Sequence, residues 1–141
     1  MTSRANRKVI TRDADGKENG YLVSIYNNND KLEGHEPSQV YLTVAKPGTI
    51  KGPHLHHIRK GCFTCIKGNV RIVTKTATGY EIHYSGEDHD YTSVLIPTGV
   101  PAAIQNIGLE DAFILNMPTP AWTPTQNDDH DADFSDFDFT L

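Results

Sequence analysis

Between Gly48 and Gly68 the chain reads Gly, five residues, His54, one residue, His56, four residues, Gly61, six residues, Gly68. That spacing constrains the fold more than any other feature. If the histidine segment is a strand, side chains alternate faces, so His54 and His56 point one way and His57 the other. Gly68 reads as a tight bend between two extended segments. A second punctuated stretch, Pro97-Thr98-Gly99-Val100-Pro101-Ala102, is followed after three further residues by Asn106.

The same rhythm runs through most of the chain. Strands are expected over 20–26, 39–45, 53–58, 62–67, 69–75, 80–85, 93–96, 102–107 and 112–117, separated by turns rich in Gly, Pro, Asn and Asp. No stretch sustains a helical period, and no internal repeat is present. Many short strands at regular spacing indicate an all-β barrel or sandwich. Residues 1–19 read as a polar, frayed arm, with a turn at Asp13-Ala14-Asp15-Gly16. Residues 20–120 read as the barrel, and 121–141 as an acidic C-terminal segment. Phe134, Phe137 and Phe139 in that segment point to docking on the barrel or on a partner subunit, and the alternative is a solvated tail.

Length and charge narrow the function classes. With 141 residues, 37 % of them hydrophobic, the chain is long enough for one packed core. It has no apolar run of the roughly 18 residues that a membrane span needs. The N-terminus is polar and lacks the apolar centre of a signal peptide, so a cytoplasmic protein is expected. The net charge is −5, but six aspartates lie between 128 and 138, and removing them leaves 12 acids against 13 bases. The body is thus nearly neutral, with Lys51, Arg59, Lys60, Lys67 and Arg71 clustered around the histidines. That suits a small anionic ligand rather than nucleic acid, which needs a broad basic face. Cys62 and Cys65 form a C-x-x-C, but a spacing of three on a strand sends the sulfurs to opposite faces. With no second pair to complete a zinc site, two buried structural thiols are expected.

Both punctuated stretches resemble the two motifs of the cupins, with one departure in each. Gly61 stands where a metal-binding cupin has Glu, and Ala102 where it has His. Two imidazoles alone make a poor catalytic metal site, since three or more protein ligands are normal. No cofactor and no metal are therefore expected. A neutral imidazole titrates near pH 6.5 and is suited to removing and returning a proton. The chemistry left to such a pair is proton abstraction from a carbon made acidic by a neighbouring carbonyl, and the enolate formed needs donors aimed at its oxygen.

From about Gly20 to Asp131 the chain also resembles a particular cupin group, the RmlC-like sugar-nucleotide enzymes around dTDP-4-dehydrorhamnose 3,5-epimerase and the 3,4-ketoisomerases. The resemblance is carried by Gly20-Tyr21-Leu22-Val23, Gln39-Val40-Tyr41-Leu42-Thr43, Lys51-Gly52-Pro53-His54-Leu55-His56 and Phe63-Thr64-Cys65-Ile66-Lys67-Gly68. It continues through Gly86-Glu87-Asp88, Ile96-Pro97-Thr98-Gly99 and Asn116-Met117-Pro118-Thr119-Pro120. It implies a cupin jelly-roll β-barrel, a homodimer, and a nucleotide-linked 4-keto-6-deoxy sugar as substrate. On it, His54 falls at the proton-abstracting base and His56 at the second histidine of the ketoisomerase pattern. Lys51 stands at a diphosphate-binding position where Arg is usual, and the exchange keeps the charge but loses the bidentate fork. Arg59 is expected to help neutralise the diphosphate. Trp122 either stacks on the nucleobase or anchors the Pro-rich segment. The epimerases' Lys and Tyr are absent, near Gly61 and Leu115, and Tyr41 can replace the Tyr. The acidic partner of the base lies among residues 128–136. An isomerase is the leading expectation; a non-catalytic binding cupin and a metal-dependent cupin remain as alternatives.

Overall fold

The computed structural model describes residues 2–141 as an all-β molecule. Its strands are β1 (Thr2–Arg4), β2 (Lys8–Arg12), β3 (Glu18–Val23), β4 (Tyr41–Ala45), β5 (Ile50–Leu55) and β6 (Gly61–Lys67). They continue with β7 (Asn69–Lys75), β8 (Tyr80–Gly86), β9 (Ser93–Ile96), β10 (Ala102–Asn106), β11 (Ala112–Asn116) and β12 (His130–Asp131). Two five-stranded antiparallel sheets form the body, in the orders β1-β9-β6-β11-β4 and β12-β5-β10-β7-β8. This is the jelly-roll arrangement of the cupins.

The sheets meet over Cys65, Val70, Ile72, Val94, Ile96, Ile104 and Ile114, drawn from both of them. Strand β7 is buried on both faces along most of its length. Val70 and Ile72 enter that core, while Val73, of opposite parity, joins a second cluster with Ala103 and Phe134. A strand covered on both faces has no reason to alternate polar with apolar. Its outer cover is the C-terminal segment. Phe134 is buried, the Arg71 guanidinium lies 5.5 Å from the Phe137 ring, and Lys75 Nζ donates to the Asp133 carbonyl at 2.8 Å. Around these phenylalanines the tail is neither helix nor strand: the Phe137 N–H donates to the Phe134 carbonyl in a turn, at 2.9 Å.

The last residue of the second motif is structural. Asn106 is fully buried, and its amide donates to the carbonyls of Ala45 and Glu110 while accepting the Gly108 N–H. Cys62 packs with Leu95 and Met117, and Cys65 lies in the main core, so the two thiols sit in separate clusters. Burial pushes them up to about 11 and about 12, and both are free.

The N-terminal region corrects the expectation of a frayed arm. Strand β1 pairs with β9 in register Thr2↔Leu95 to Arg4↔Ser93, and β2 pairs with β3 as a hairpin. The expected turn at 13–16 closes that hairpin. Edge pairing of a polar strand leaves little periodic signal, because its order comes from the backbone ladder of its neighbour.

Candidate active site

Strand β5 carries a bulge against β10. Ala102 pairs with His54 but Ile104 pairs with Lys51, so β5 spends one more residue than β10 over the same span. The extra residue is accommodated at Gly52, whose φ is +90° and where a Cβ would lie 2.9 Å from the Ala102 carbonyl oxygen. The consequence is functional. Lys51 and His54 are three apart and would face opposite ways on a regular strand; across the bulge both line the same cavity, together with His56.

That cavity holds about 410 Å³. Its size is that of a ligand pocket. Tyr41, Lys51, His54, His56, Arg59 and Trp122 all line it, joined by Gln39, Phe63, Asn116 and Asp129. The structure thus brings every sequence-derived candidate to one place. His57 does not line it, and its ring lies 4.6 Å from that of His130.

One wall is wired by the C-terminal segment. The Asp128 carboxylate is buried and accepts three backbone N–H groups, from His57 (2.9 Å), Ile58 (3.0 Å) and Arg59 (3.0 Å). Burial would raise its pKa, but the three N–H donors of Arg59, His57 and Ile58 together outweigh that and hold it below the usual carboxylate range. The Asp128 carbonyl accepts from His56 Nδ1 at 2.7 Å. A carbonyl can only accept, so the proton of a neutral His56 sits on Nδ1 and the lone pair on Nε2. Burial lowers the His56 pKa, and the neighbouring Arg59 adds to this; the carbonyl and the two carboxylates oppose it without prevailing. Asp129 lies 3.4 Å from the same nitrogen and accepts from Arg59 Nη2 at 3.2 Å. Arg59 is itself buried, with Nη1 3.8 Å from Asp128. Its charge is met by these two aspartates.

The opposite wall is largely apolar. Asn116 and Tyr41 are direct cross-strand partners between β11 and β4, and the Asn116 amide N–H donates to the Tyr41 hydroxyl at 2.6 Å. The Tyr41 and Trp122 rings are 6.4 Å apart, and the Trp122 backbone N–H donates to Gln39 Oε1 at 2.7 Å. Trp122 remains 40 % exposed, which leaves its ring open to a ligand. Asn116 was outside the sequence-derived candidates. It ends a strand and begins the 116–120 segment that carries part of the family resemblance, but nothing in its spacing marks it as a cavity residue.

The residues present do not fit a cupin metal centre. At Gly61 a Cβ would meet the Phe63 ring at 2.8 Å and the Asn116 amide oxygen at 3.2 Å, so the space of the cupin glutamate is taken. Ala102 offers no ligand. Among the described residues no three His, Cys, Asp or Glu side chains converge on one point.

The two antiparallel sheets and the cavity they flank have the form of a cupin. The family described as the polysaccharide biosynthesis C-terminal domain matches residues 19–130, and the chain belongs to it. Among solved structures it resembles dTDP-4-dehydrorhamnose 3,5-epimerase from Sulfolobus tokodaii, with 18 % identity and a TM-score of 0.73 over 94 % of this chain and 77 % of that one. The sugar 3,4-ketoisomerase QdtA from Thermoanaerobacterium thermosaccharolyticum is similar at 15 % identity and TM-score 0.67, covering 86 % of this chain and 82 % of that one. The capsular polysaccharide assembling protein CapF of Staphylococcus aureus is 22 % identical with a TM-score of 0.61; 89 % of this chain matches only 34 % of CapF. No curated sequence shows a significant match. No helix is long and apolar enough to cross a membrane among the described residues.

Proposed function

We propose that the protein is a metal-independent isomerase of a nucleotide-linked 4-keto-6-deoxy sugar, serving deoxysugar and polysaccharide biosynthesis. The observation that carries this is the bond from His56 Nδ1 to the Asp128 carbonyl, which leaves a lone pair on Nε2 of a half-buried imidazole lining the cavity. The proton on the carbon next to the ketone passes to that nitrogen, and its electron pair moves into an enolate. The enolate oxygen takes a hydrogen bond from the Tyr41 hydroxyl. The proton then returns, either to the other face of the same carbon, giving the epimer, or to the neighbouring carbonyl carbon after enediol formation, giving the 3,4-ketoisomer.

The family resemblance assigns the abstraction to His54; the hydrogen-bond pattern favours His56, and His54 then returns the proton. Lys51, exposed beside the cavity, supplies charge for the diphosphate. Arg59, already paired, holds Asp129 instead. Trp122 stacks on the base. The active form is a homodimer: the β2–β3 hairpin leaves Val9, Ile10, Tyr21 and Leu22 exposed, and an isolated hairpin is only marginally stable in water.

The test is solvent deuterium incorporation into a panel of 4-keto-6-deoxy nucleotide sugars. Exchange in the native protein and its loss in His56→Asn are expected. No exchange with any of them would overturn the reading. Binding without exchange would favour a non-catalytic cupin, which the absence of the epimerases' Lys and Tyr at Gly61 and Leu115 already recommends as the second reading. Light scattering of the purified protein tests the dimer.

A further inference from the structure

We infer that Asn116 is a positioning residue that fixes which way the Tyr41 hydroxyl points, so that its proton is directed to a ligand oxygen in the cavity. The inference rests on the isomerase reading for its consequence, but not for its geometry.

Strand register places the two side chains. Asn116 and Tyr41 face each other across β11 and β4, at the end of the ladder where it borders the cavity, and both line that cavity. Asn116 is only 3 % exposed, so its amide has no choice of rotamers in solvent. The amide nitrogen is 2.6 Å from the Tyr41 oxygen, and the amide oxygen is buried with no hydrogen-bond partner.

The opposite amide orientation would be worse. It would bury an NH2 group, with two donors, where the oxygen now lies without a hydrogen-bond partner, 3.2 Å from where a Gly61 Cβ would sit. A carbonyl oxygen without a partner is the less costly of the two, and it can face a Cα–H.

A phenol that accepts from an amide keeps its own O–H for another partner. Among the described residues the Tyr41 hydroxyl makes no hydrogen bond apart from that with the Asn116 amide. Its proton is therefore available to a ketone or enolate oxygen. Asn116 does not touch that oxygen; it acts through Tyr41.

The experiment exchanges the donor for an acceptor. Asn116→Asp is isosteric, and a carboxylate makes Tyr41 donate to it and turn its proton away from the cavity. Asn116→Leu removes the donor without adding charge and covers the case in which the aspartate variant fails to fold. The first readout needs no substrate: protein carrying tyrosine labelled with 13C at Cζ, with the Tyr41 signal assigned by Tyr41→Phe, is compared between native and variants. A displaced Tyr41 resonance in Asn116→Asp, and a displacement in Asn116→Leu, is expected. An unmoved resonance in a folded variant overturns the inference, whatever the enzyme does.

The second readout is a double-mutant cycle on turnover. Losing one preorganised donor at the developing oxyanion lowers kcat by about 10²–10³-fold. Asn116→Asp is expected to match Tyr41→Phe in that loss, with KM little changed, and to add nothing in the Tyr41→Phe background. Full additivity would overturn the inference by showing that Asn116 acts elsewhere. A moved resonance in the variants, with no deuterium exchange by the native protein, would sustain the orientation of Tyr41 and sink the isomerase reading.

Discussion

The two walls of the cavity are built on different plans. The histidine wall is dense in charge and depends on a segment far away in the chain: His56 bonds a carbonyl 72 residues downstream, and Asp128 gathers three backbone N–H groups from residues 57–59. The tyrosine wall is mostly carbon, and its Asn116–Tyr41 hydrogen bond joins direct partners on adjacent strands. A buried carboxylate that serves several donors fixes a loop but fails as a whole when removed. A cross-strand pair is held by the ladder itself, and its loss alters chemistry before it alters stability.

The largest effect expected from this contrast is on Asp128. Asp128→Ala leaves three buried N–H groups without their acceptor and takes away one of the two carboxylates beside Arg59, and is expected to cost about 3–5 kcal/mol in denaturant unfolding. Asp129→Ala, in a half-exposed partner of the same arginine, is expected to cost under about 1 kcal/mol. Equal costs for the two would break the account of the histidine wall. Next in size is the anchor of the tail. Phe134→Ala opens the cluster with Val73 and Ala103 and is expected to cost about 3 kcal/mol. It should also reduce the protection of the His57–Arg59 amides against hydrogen exchange, whereas Tyr41→Phe should leave them unchanged.

Restoring the cupin glutamate tests the other wall. Gly61→Glu drives a side chain into Phe63 and Asn116, and is expected to destabilise by about 1–3 kcal/mol without conferring retained metal on elemental analysis. Strong, stoichiometric metal uptake by that variant would show that the apolar wall yields more readily than its packing implies.

The smallest effect is that of pH. His56 and His35 have folded pKa values held below their ordinary 6.5, mainly by burial. Their unfolded forms then bind protons more readily than the folded protein does. Stability is flat above about pH 6.5 and declines as pH falls from there toward the depressed folded values, with a slope of at most about 1.4 kcal/mol per unit for each histidine. Unfolding midpoints measured from pH 8 to 5 check the direction, and His56→Asn should flatten part of the slope. The aspartates act lower still: Asp128 adds stability that is lost as pH falls below the usual carboxylate range.

Much of this was readable in the chain. Most strands from β4 to β11 follow from Gly and Pro punctuation between runs of β-forming residues; the one expected over 53–58 runs instead over Ile50–Leu55, so His56 lies just past its end, though it lines the same cavity as His54. The separation of Cys62 and Cys65 into two clusters follows from strand parity. These are local properties, decided within a few residues by backbone geometry.

Tertiary structure decided the rest. The bulge at Gly52 turns Lys51 to the side of His54, against the parity of a regular strand. Asp128 was one of several aspartates in an acidic run, and only its docking under residues 57–59 singles it out. Asn116 faces Tyr41 because of a register between strands 75 residues apart. A sequence displays its own period, but it does not display which distant segment completes a hydrogen bond. That choice is made by packing, where the buried donor and the buried acceptor must find each other or leave a polar group unsatisfied.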